Sequence, residues 1–523
     1  MVKNGITLLS EKDPVGRAEK TADSVSIKDK TLYFCPSPIY GYGLSRFLSR
    51  LEKEAPHSAV LCLEADNELY KLSIENIDPQ ITAKKNFLLP GNCTKEELCA
   101  LVHDRWGDRM FRYTETVRFS GGFQLHAQLY ESLCEALRRQ ITGDLSNALT
   151  LAKLGRLYIR NALRNLSLIK QYPSVSQLSF GEAPVLVLGA GPSLDKVLDA
   201  LSSLNNQAKN RTFKIICVDT ALTALKDRGI VPDLAVILES QHWNIRDFIG
   251  CSGWNVPAAF DLSSLPASAG KLGAKGFLFF TPWTQLRIFE RMKNAGLLPA
   301  KVPPLGSVGL TAVEIARRIT SGSIICAGID FSYTAEKYHA RSTPGHKSKL
   351  NKLTRLGAIF NTSVYEDYSI AALSKSGSKV YTNPIMKNYR NLFEEEFKTD
   401  PRIFDIEGTG LPLGVKTISI EEFTSGLLTK EFPPCSPCLR VNSSEINLFY
   451  EGEKNRLIEL RGFLTGEQTM NQIRLNELVT ECDYLWAHFP DYAHNINDIT
   501  FLKRVRAEID PMLKILKLLK PLS

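Results

Sequence analysis

The chain has 523 residues, 44% of them hydrophobic, too many for one ordinary core, so about three domains of roughly 150 residues each are expected. Its formal charge of +8, from 64 basic against 56 acidic residues, is spread along the chain and forms no stripe of the kind that nucleic-acid binding needs. The opening MVKNGITLLSEKDPVGRAEK has no apolar segment of signal-peptide length and no apolar run reaches ~18 residues, which argues against export by that route and against a membrane span.

Eleven cysteines, most of them inside apolar runs (Cys35, Cys62, Cys217, Cys326), predict reduced, buried thiols and a cytoplasmic address. The first block, residues 1–140, opens with a strand in TLYFC, passes through a Pro/Gly turn into the helix of PSPIYGYGLSRFLSRL, and returns to a strand in SAVLCLEAD, a β-α-β unit. The turn at Gly41 and Gly43 reads first as strand-to-helix geometry and only second as a ligand site. Residues 145–169 repeat apolar side chains every three or four positions and predict one long helix, inside a linking segment at 141–180. The central block, 181–430, alternates β-branched runs (VLVLG, FKIICVD, LAVILE, VPAAFDL, GFLFF and SIICAGID) with helices. That alternation predicts an α/β fold with a doubly wound, Rossmann-like parallel sheet. The prolines around Cys435 and Cys438 read as a linker rather than a redox or zinc pair, because no second CxxC or His pair accompanies them. The tail, 431–523, is polar and helical; its basic end, DPMLKILKLLK, reads as a helix packed on its own bundle or a partner, with a membrane-surface helix as the alternative.

Ligands of open α/β sheets sit beyond the carboxyl ends of the strands, so the residues that end each strand are the candidates. The stretch PVLVLGAGPSLDKVL lacks the third glycine of a dinucleotide fingerprint, with Leu194 in its place. There Gly189 and Gly191 let backbone N–H groups approach an anion, Ser193 can cap the next helix, and Pro192 suits its first turn. Asp219 can accept from a ribose hydroxyl or serve as another N-cap. The third strand ends at Glu239, and Asp233 before it reads as a turn residue. Gly306-Ser307 makes a second anion-friendly turn at a helix start. The last of these strands ends at Asp330 and runs into a loop holding Tyr333, Tyr338, His339, Arg341 and His346. His339 is the candidate general base, since an unperturbed pKa of ~6.5 suits proton removal from a hydroxyl near neutrality; His346 reads as a surface histidine. No DxD pair occurs, so a metal-held diphosphate is not indicated, whereas a donor with a single phosphate, such as a CMP sugar, needs no metal.

In order and spacing, VLVLGAGPSLD, VDTALTALKDRGIVPDLAVILE, GSVGLTAVEIAR, AGIDFSYTAEKYHA and NYRNLFEEEF with IFDIEGTGLPLGV resemble the motility-associated factor (Maf) glycosyltransferase-like proteins, also described through a hydroxymethylpterin diphosphokinase-like domain. CPSPIYGYGLSRFL and VLCLEAD resemble that family's N-terminal domain. The resemblance implies a cytoplasmic, inverting, metal-independent enzyme without a tightly bound cofactor. Such an enzyme transfers a nonulosonic acid, pseudaminic or legionaminic, from its CMP conjugate to Ser or Thr of flagellin, for flagellum assembly and motility. It also implies a central domain similar to bacterial sialyltransferases, followed by a helical domain. On the same basis Gly189, Gly191, Pro192 and Ser193 hold the donor phosphate or ribose, Asp219 and Asp330 lie near the nucleotide, His339 is the base, and Tyr333 and Tyr338 face the departing phosphate. Glu239 stands where the family has Asp, and Gly328-Ile329-Asp330-Phe331 where it has GQDL, which leaves the exact sugar open. The alternatives are an ATP- and Mg²⁺-dependent pterin diphosphokinase, which Asp219 and Glu239 can serve, and a catalytically inactive flagellin-binding protein. The C-terminal helices are expected to grip the protein acceptor; its modified Ser or Thr and the oligomeric state, a homo-oligomer included, are left open.

Overall fold

The computed structural model describes residues 1–107, 110–205, 213–355, 361–425, 443–469, 471–490 and 495–519; Cys435 and Cys438 lie outside them. The chain divides into two compact units, Met1–Lys153 with His488–Tyr492, and Leu154–Ala487 with Ala493–Ser523.

In the first unit, a run apolar at every position, Leu32-Tyr33-Phe34-Cys35, suits a strand covered on both faces. β1 (Thr31–Pro36) is buried along its whole length. It pairs in parallel with β2 (Ala59–Leu63) and β4 (Tyr113–Thr116), and β3 (Phe87–Leu88) completes the order β3-β2-β1-β4. Successive strand side chains point to opposite faces. Tyr33 and Cys35 therefore join a core with Phe47 and Leu51 of α1 (Leu44–Glu54), while Leu32 and Phe34 join one with Leu133 and Leu137 of α2 (Ala127–Leu166). α2 starts well before the predicted 145, because Leu133, Leu137 and Ile141 extend the buried stripe toward its N-terminus. Packing accounts for the glycine turn: with φ of 70° and 83°, a Cβ on Gly41 would stand 2.6 Å from Ile77 Cγ1, and one on Gly43 2.7 Å from the Ala18 carbonyl oxygen.

In the second unit the chain enters mid-sheet at β5 (Val185–Leu188) and steps outward through β6 (Lys214–Val218), β7 (Leu234–Ile237), β8 (Val256–Asp261) and β9 (Gly273–Phe279). It then crosses back to β10 (Ile324–Ala327) on the other side of β5. After a separate antiparallel hairpin, β11 (Ile370–Leu373) and β12 (Lys379–Thr382), it adds β13 (Ile403–Ile406) and β14 (Lys416–Ile418). The result is an eight-stranded sheet ordered β9-β8-β7-β6-β5-β10-β13-β14, parallel at every pairing. This is the α/β class the alternating pattern predicts. Helices α3 (Leu194–Asn205), α4 (Val308–Ile319) and α5 (Pro384–Phe397) begin beside the carboxyl-end loops.

The tail helices α6 (Ser443–Thr465), α7 (Gln472–Glu481) and α8 (Ile499–Leu518) belong to this same unit. Arg291 donates two hydrogen bonds, of 2.6 and 2.9 Å, to the carboxylate of Glu453 on α6, and the Tyr450 hydroxyl donates to the Leu163 carbonyl at 2.8 Å. Cys35, Cys62, Cys217 and Cys326 are free and buried. Among the described residues no helix is long and apolar enough to cross a membrane.

Candidate active site

The strand order reverses between β5 and β10, the place where parallel α/β sheets open a crevice at their carboxyl ends. Residues 189–193 leave β5 there and residues 328–332 leave β10, touching as they go. A Cβ on Gly189 would lie 2.4 Å from the Gly328 carbonyl oxygen, and one on Gly191 2.5 Å from Asp330 Oδ2. Both glycines are thus needed for two loops to meet. Their N–H groups are spent in the same way, Gly189 donating to Ala327 and Gly191 to Gly328, each at 2.8 Å. This corrects the expectation that these two amides reach an anion.

Ser193 is corrected too. Its backbone N–H donates to Asp330 Oδ2 at 2.7 Å and its hydroxyl to Oδ1, so it anchors a carboxylate instead of capping α3. Asp330 is 2% exposed. Burial pushes its carboxyl up, against the charge of Lys375 and the Ser193 hydrogen bonds. The Lys375 side chain is 5% exposed and pairs with Asp405 on β13 at 2.6 Å. Gly189, Gly191 and Asp330 line a cavity of about 230 Å³; Pro192 and Ser193 do not.

The opposite wall is the start of α4. Ser307 caps this helix, its hydroxyl accepting from the Gly309 N–H at 3.3 Å, and Ser307, Val308 and Gly309 all face the cavity. Gly306 sits just outside it at φ 70°, where a Cβ would strike the Tyr389 ring at 2.9 Å. The positive end of this helix dipole is the anion-attracting element of the cleft. Tyr389 and Met386 of α5 close the rim; the sequence pattern gave them no role, since they sit on an otherwise ordinary amphipathic helix.

Two predicted acids fall outside the cavity. Asp219, 3% exposed, accepts from the Thr220 N–H at 2.8 Å and from Asn244 Nδ2 at 2.7 Å. Burial pushes it up to about 6. Its neighbours Val218 and Thr220 reach the cleft in its place. Glu239 is exposed and accepts from the Gln241 N–H at 2.9 Å, closing its own turn. Asp233 accepts from the Ile215 N–H at 2.8 Å, tying the turn before β7 to β6.

Tyr338 and His339 line the cavity. Tyr333 is buried behind them: its ring stacks on Tyr338 at 4.8 Å and its hydroxyl donates to the Ser363 carbonyl at 3.1 Å. The loop is fastened to the glycine turn by the Ala340 N–H donating to the Ala190 carbonyl at 3.0 Å. Asp195, the last residue of GPSLD, fastens it again by accepting from the Arg341 N–H at 2.9 Å and pairing with Lys337 and Arg228. Burial, with the Lys349 charge nearby, pushes the His339 imidazole down to about 4, so it is neutral at pH 7 and free to accept a proton. His346 lies on a neighbouring helix, Pro344–Leu350, away from the cavity.

Residues 160–336 match the family described as 6-hydroxymethylpterin diphosphokinase MptE-like; the match ends just short of Tyr338 and His339. An uncharacterized protein of Treponema pallidum (strain Nichols) is 29% identical over 525 residues, covering 95% of this chain and 90% of that one. A second uncharacterized protein of that strain is 29% identical over 89 residues, covering 17% and 40%. The structure of the MAf glycosyltransferase from Magnetospirillum magneticum AMB-1 covers 97% of this chain and 84% of its own with a TM-score of 0.54 at 13% identity, a likeness of fold. The resemblance drawn from the motifs is therefore met at two levels, a sequence match over the block that carries GAGPSLD and a shared fold across the chain.

Proposed function

We propose that this chain is a cytoplasmic glycosyltransferase that moves a nonulosonic acid from its CMP conjugate to Ser or Thr of flagellin. The observation that carries the reading is one cleft in which a helix N-terminus, Ser307 to Gly309, faces a neutral histidine, His339. The donor phosphate sits against the α4 amides, where the dipole offsets the charge that grows as the sugar–phosphate bond breaks. His339 takes the acceptor hydroxyl proton as the new bond from that oxygen to the sugar carbon forms. CMP leaves from the opposite face with the electron pair of the broken C–O bond, which inverts the centre. In this reading Tyr338 donates to the leaving phosphate, and Tyr333 holds its ring by stacking. The gap left by Asp219 and Glu239 is filled by Thr220, whose hydroxyl is the polar group near the ribose.

The fold shared with a glycosyltransferase supports the reading. The MptE-like description favours a second one, diphosphate transfer from ATP with Mg²⁺ to a pterin. The test is to incubate the purified chain with a CMP-nonulosonic acid and flagellin, with and without EDTA, beside ATP, Mg²⁺ and hydroxymethylpterin. A sugar-sized mass gain on flagellin that ignores EDTA and vanishes in His339→Asn supports the proposal; pterin diphosphate formation alone replaces it, and flagellin binding without either product points to an inactive accessory protein.

A further inference from the structure

The first unit repeats the architecture that makes the central cleft. From β1 the chain steps to β2 and β3 on one side and later places β4 on the other, so this sheet has its own switch point, between β1 and β4. A cavity of about 280 Å³ lies there, lined by Phe34 of β1, Arg118 just past β4, Phe123, and Tyr130 and Glu131 from the first turns of α2. Its volume is near the lower end of the ~300–1,000 Å³ common for small-ligand pockets. The glycine turn at Gly41 and Gly43 does not contribute to it.

Three features give this cavity a chemistry. The Arg118 guanidinium lies 4.2 Å over the Phe123 ring, and among the described residues no carboxylate pairs with it. Glu131 faces the same space and likewise has no ion-pair partner among the described residues, so the cavity holds an unpaired cation and an unpaired anion beside the Arg138–Glu135 pair, which closes on itself at 3.0 Å. Between them lies an apolar wall, the partly exposed Phe123 ring backed by Phe34 and Tyr130, which are 0% and 3% exposed. The Tyr130 ring is fixed from behind, its hydroxyl donating at 3.1 Å to Glu64, a carboxylate 1% exposed that also accepts from the Ser37 hydroxyl at 2.7 Å.

We propose that this crevice is a second binding site, for a mononucleotide whose base presents N–H donors. The flat base lies against the apolar wall led by Phe123, its N–H edge donates to Glu131, and its phosphate takes the planar fork of Arg118.

The experiment is calorimetric titration of the full-length protein with GMP, AMP and ribose 5-phosphate, joined to hydrogen exchange to locate the ligand. GMP is expected to bind, to protect amides within residues 113–138 while leaving 306–312 unchanged, and to bind at least tenfold more weakly to Arg118→Gln and Glu131→Gln, both exposed side chains whose replacement leaves the core intact. AMP and ribose 5-phosphate are expected to bind more weakly than GMP. No binding at millimolar GMP, protection confined to the central cleft, undiminished binding by either variant, or equal binding of ribose 5-phosphate would each overturn the assignment.

Discussion

His339 is a base made weak by its surroundings. Its folded pKa of about 4 lies below the unfolded value, so the imidazole stays unprotonated through the range in which a free histidine titrates. Since kcat/KM reports the ionisations of the free enzyme, its acid limb for transfer is expected below pH 5, and a limb at 6.5 or above would rule His339 out as that base. Asp219 titrates in the opposite sense. Its folded value of about 6 lies above the unfolded 3.8, so its contribution to stability is full below the unfolded value and is lost as pH rises toward and through 6. Asp219→Asn is expected to flatten that loss in urea unfolding between pH 4 and 7, and an unchanged slope would show that the carboxyl is solvated. Of the residue-level site, Gly189 and Gly191 were legible as a tight turn. Their reason was not, because the atoms that forbid a side chain belong to Gly328 and Asp330, more than a hundred residues away along the chain.

Among elements, the buried parallel strands were the most legible, since burial on both faces writes them as continuous apolar runs. β13 escaped that signal because IFDI carries Asp405, a carboxylate made tolerable in the core by Lys375 at 2.6 Å, a partnership no local pattern reveals. The loop of His339 owes its position to a similar hidden pairing. Asp195, 5% exposed, gathers Lys337, Arg228 and the Arg341 N–H, so Asp195→Asn removes the charge that holds the loop on α3. Faster hydrogen exchange is expected in residues 337–343, with exchange in β5 and β10 unchanged; unaltered exchange in the loop would mean that the Ala340 to Ala190 hydrogen bond suffices. In activity the same variant is expected to lower kcat more than it raises KM, since it shifts the base without touching the donor wall.

For the molecule as a whole, the alternation of strands and helices announced the α/β class, and the crossing back from β9 to β10 is what turns that class into a cleft. The sequence could place neither the switch point of the first unit's sheet nor the attachment of the tail, because both depend on strand order and distant pairing. The tail is joined to the sheet unit by Arg291 and Glu453, 18% and 1% exposed. Glu453→Gln leaves a largely buried guanidinium without its charge partner and is expected to cost about 3 kcal/mol in denaturant unfolding, whereas a loss under ~0.5 kcal/mol would mean that the ion pair adds little to the packing and the Tyr450 hydrogen bond that hold the helices. Removal of the tail is therefore expected to lower stability as well as any grip on a protein acceptor.

The central claim is that the crevice between β5 and β10 holds a cytidine monophosphate donor against the start of α4. Its most direct test is a thermal and denaturant stability panel of the purified protein with CMP, CDP, UMP, GMP, and ATP with Mg²⁺, each with and without EDTA. At ~100 times its dissociation constant a ligand that binds only the native state adds about 2.7 kcal/mol. Stabilisation of that size by CMP, unchanged by EDTA and reduced in Ser307→Ala, is the result expected; stabilisation by ATP with Mg²⁺ but not by CMP, or a CMP response abolished by EDTA, would contradict it.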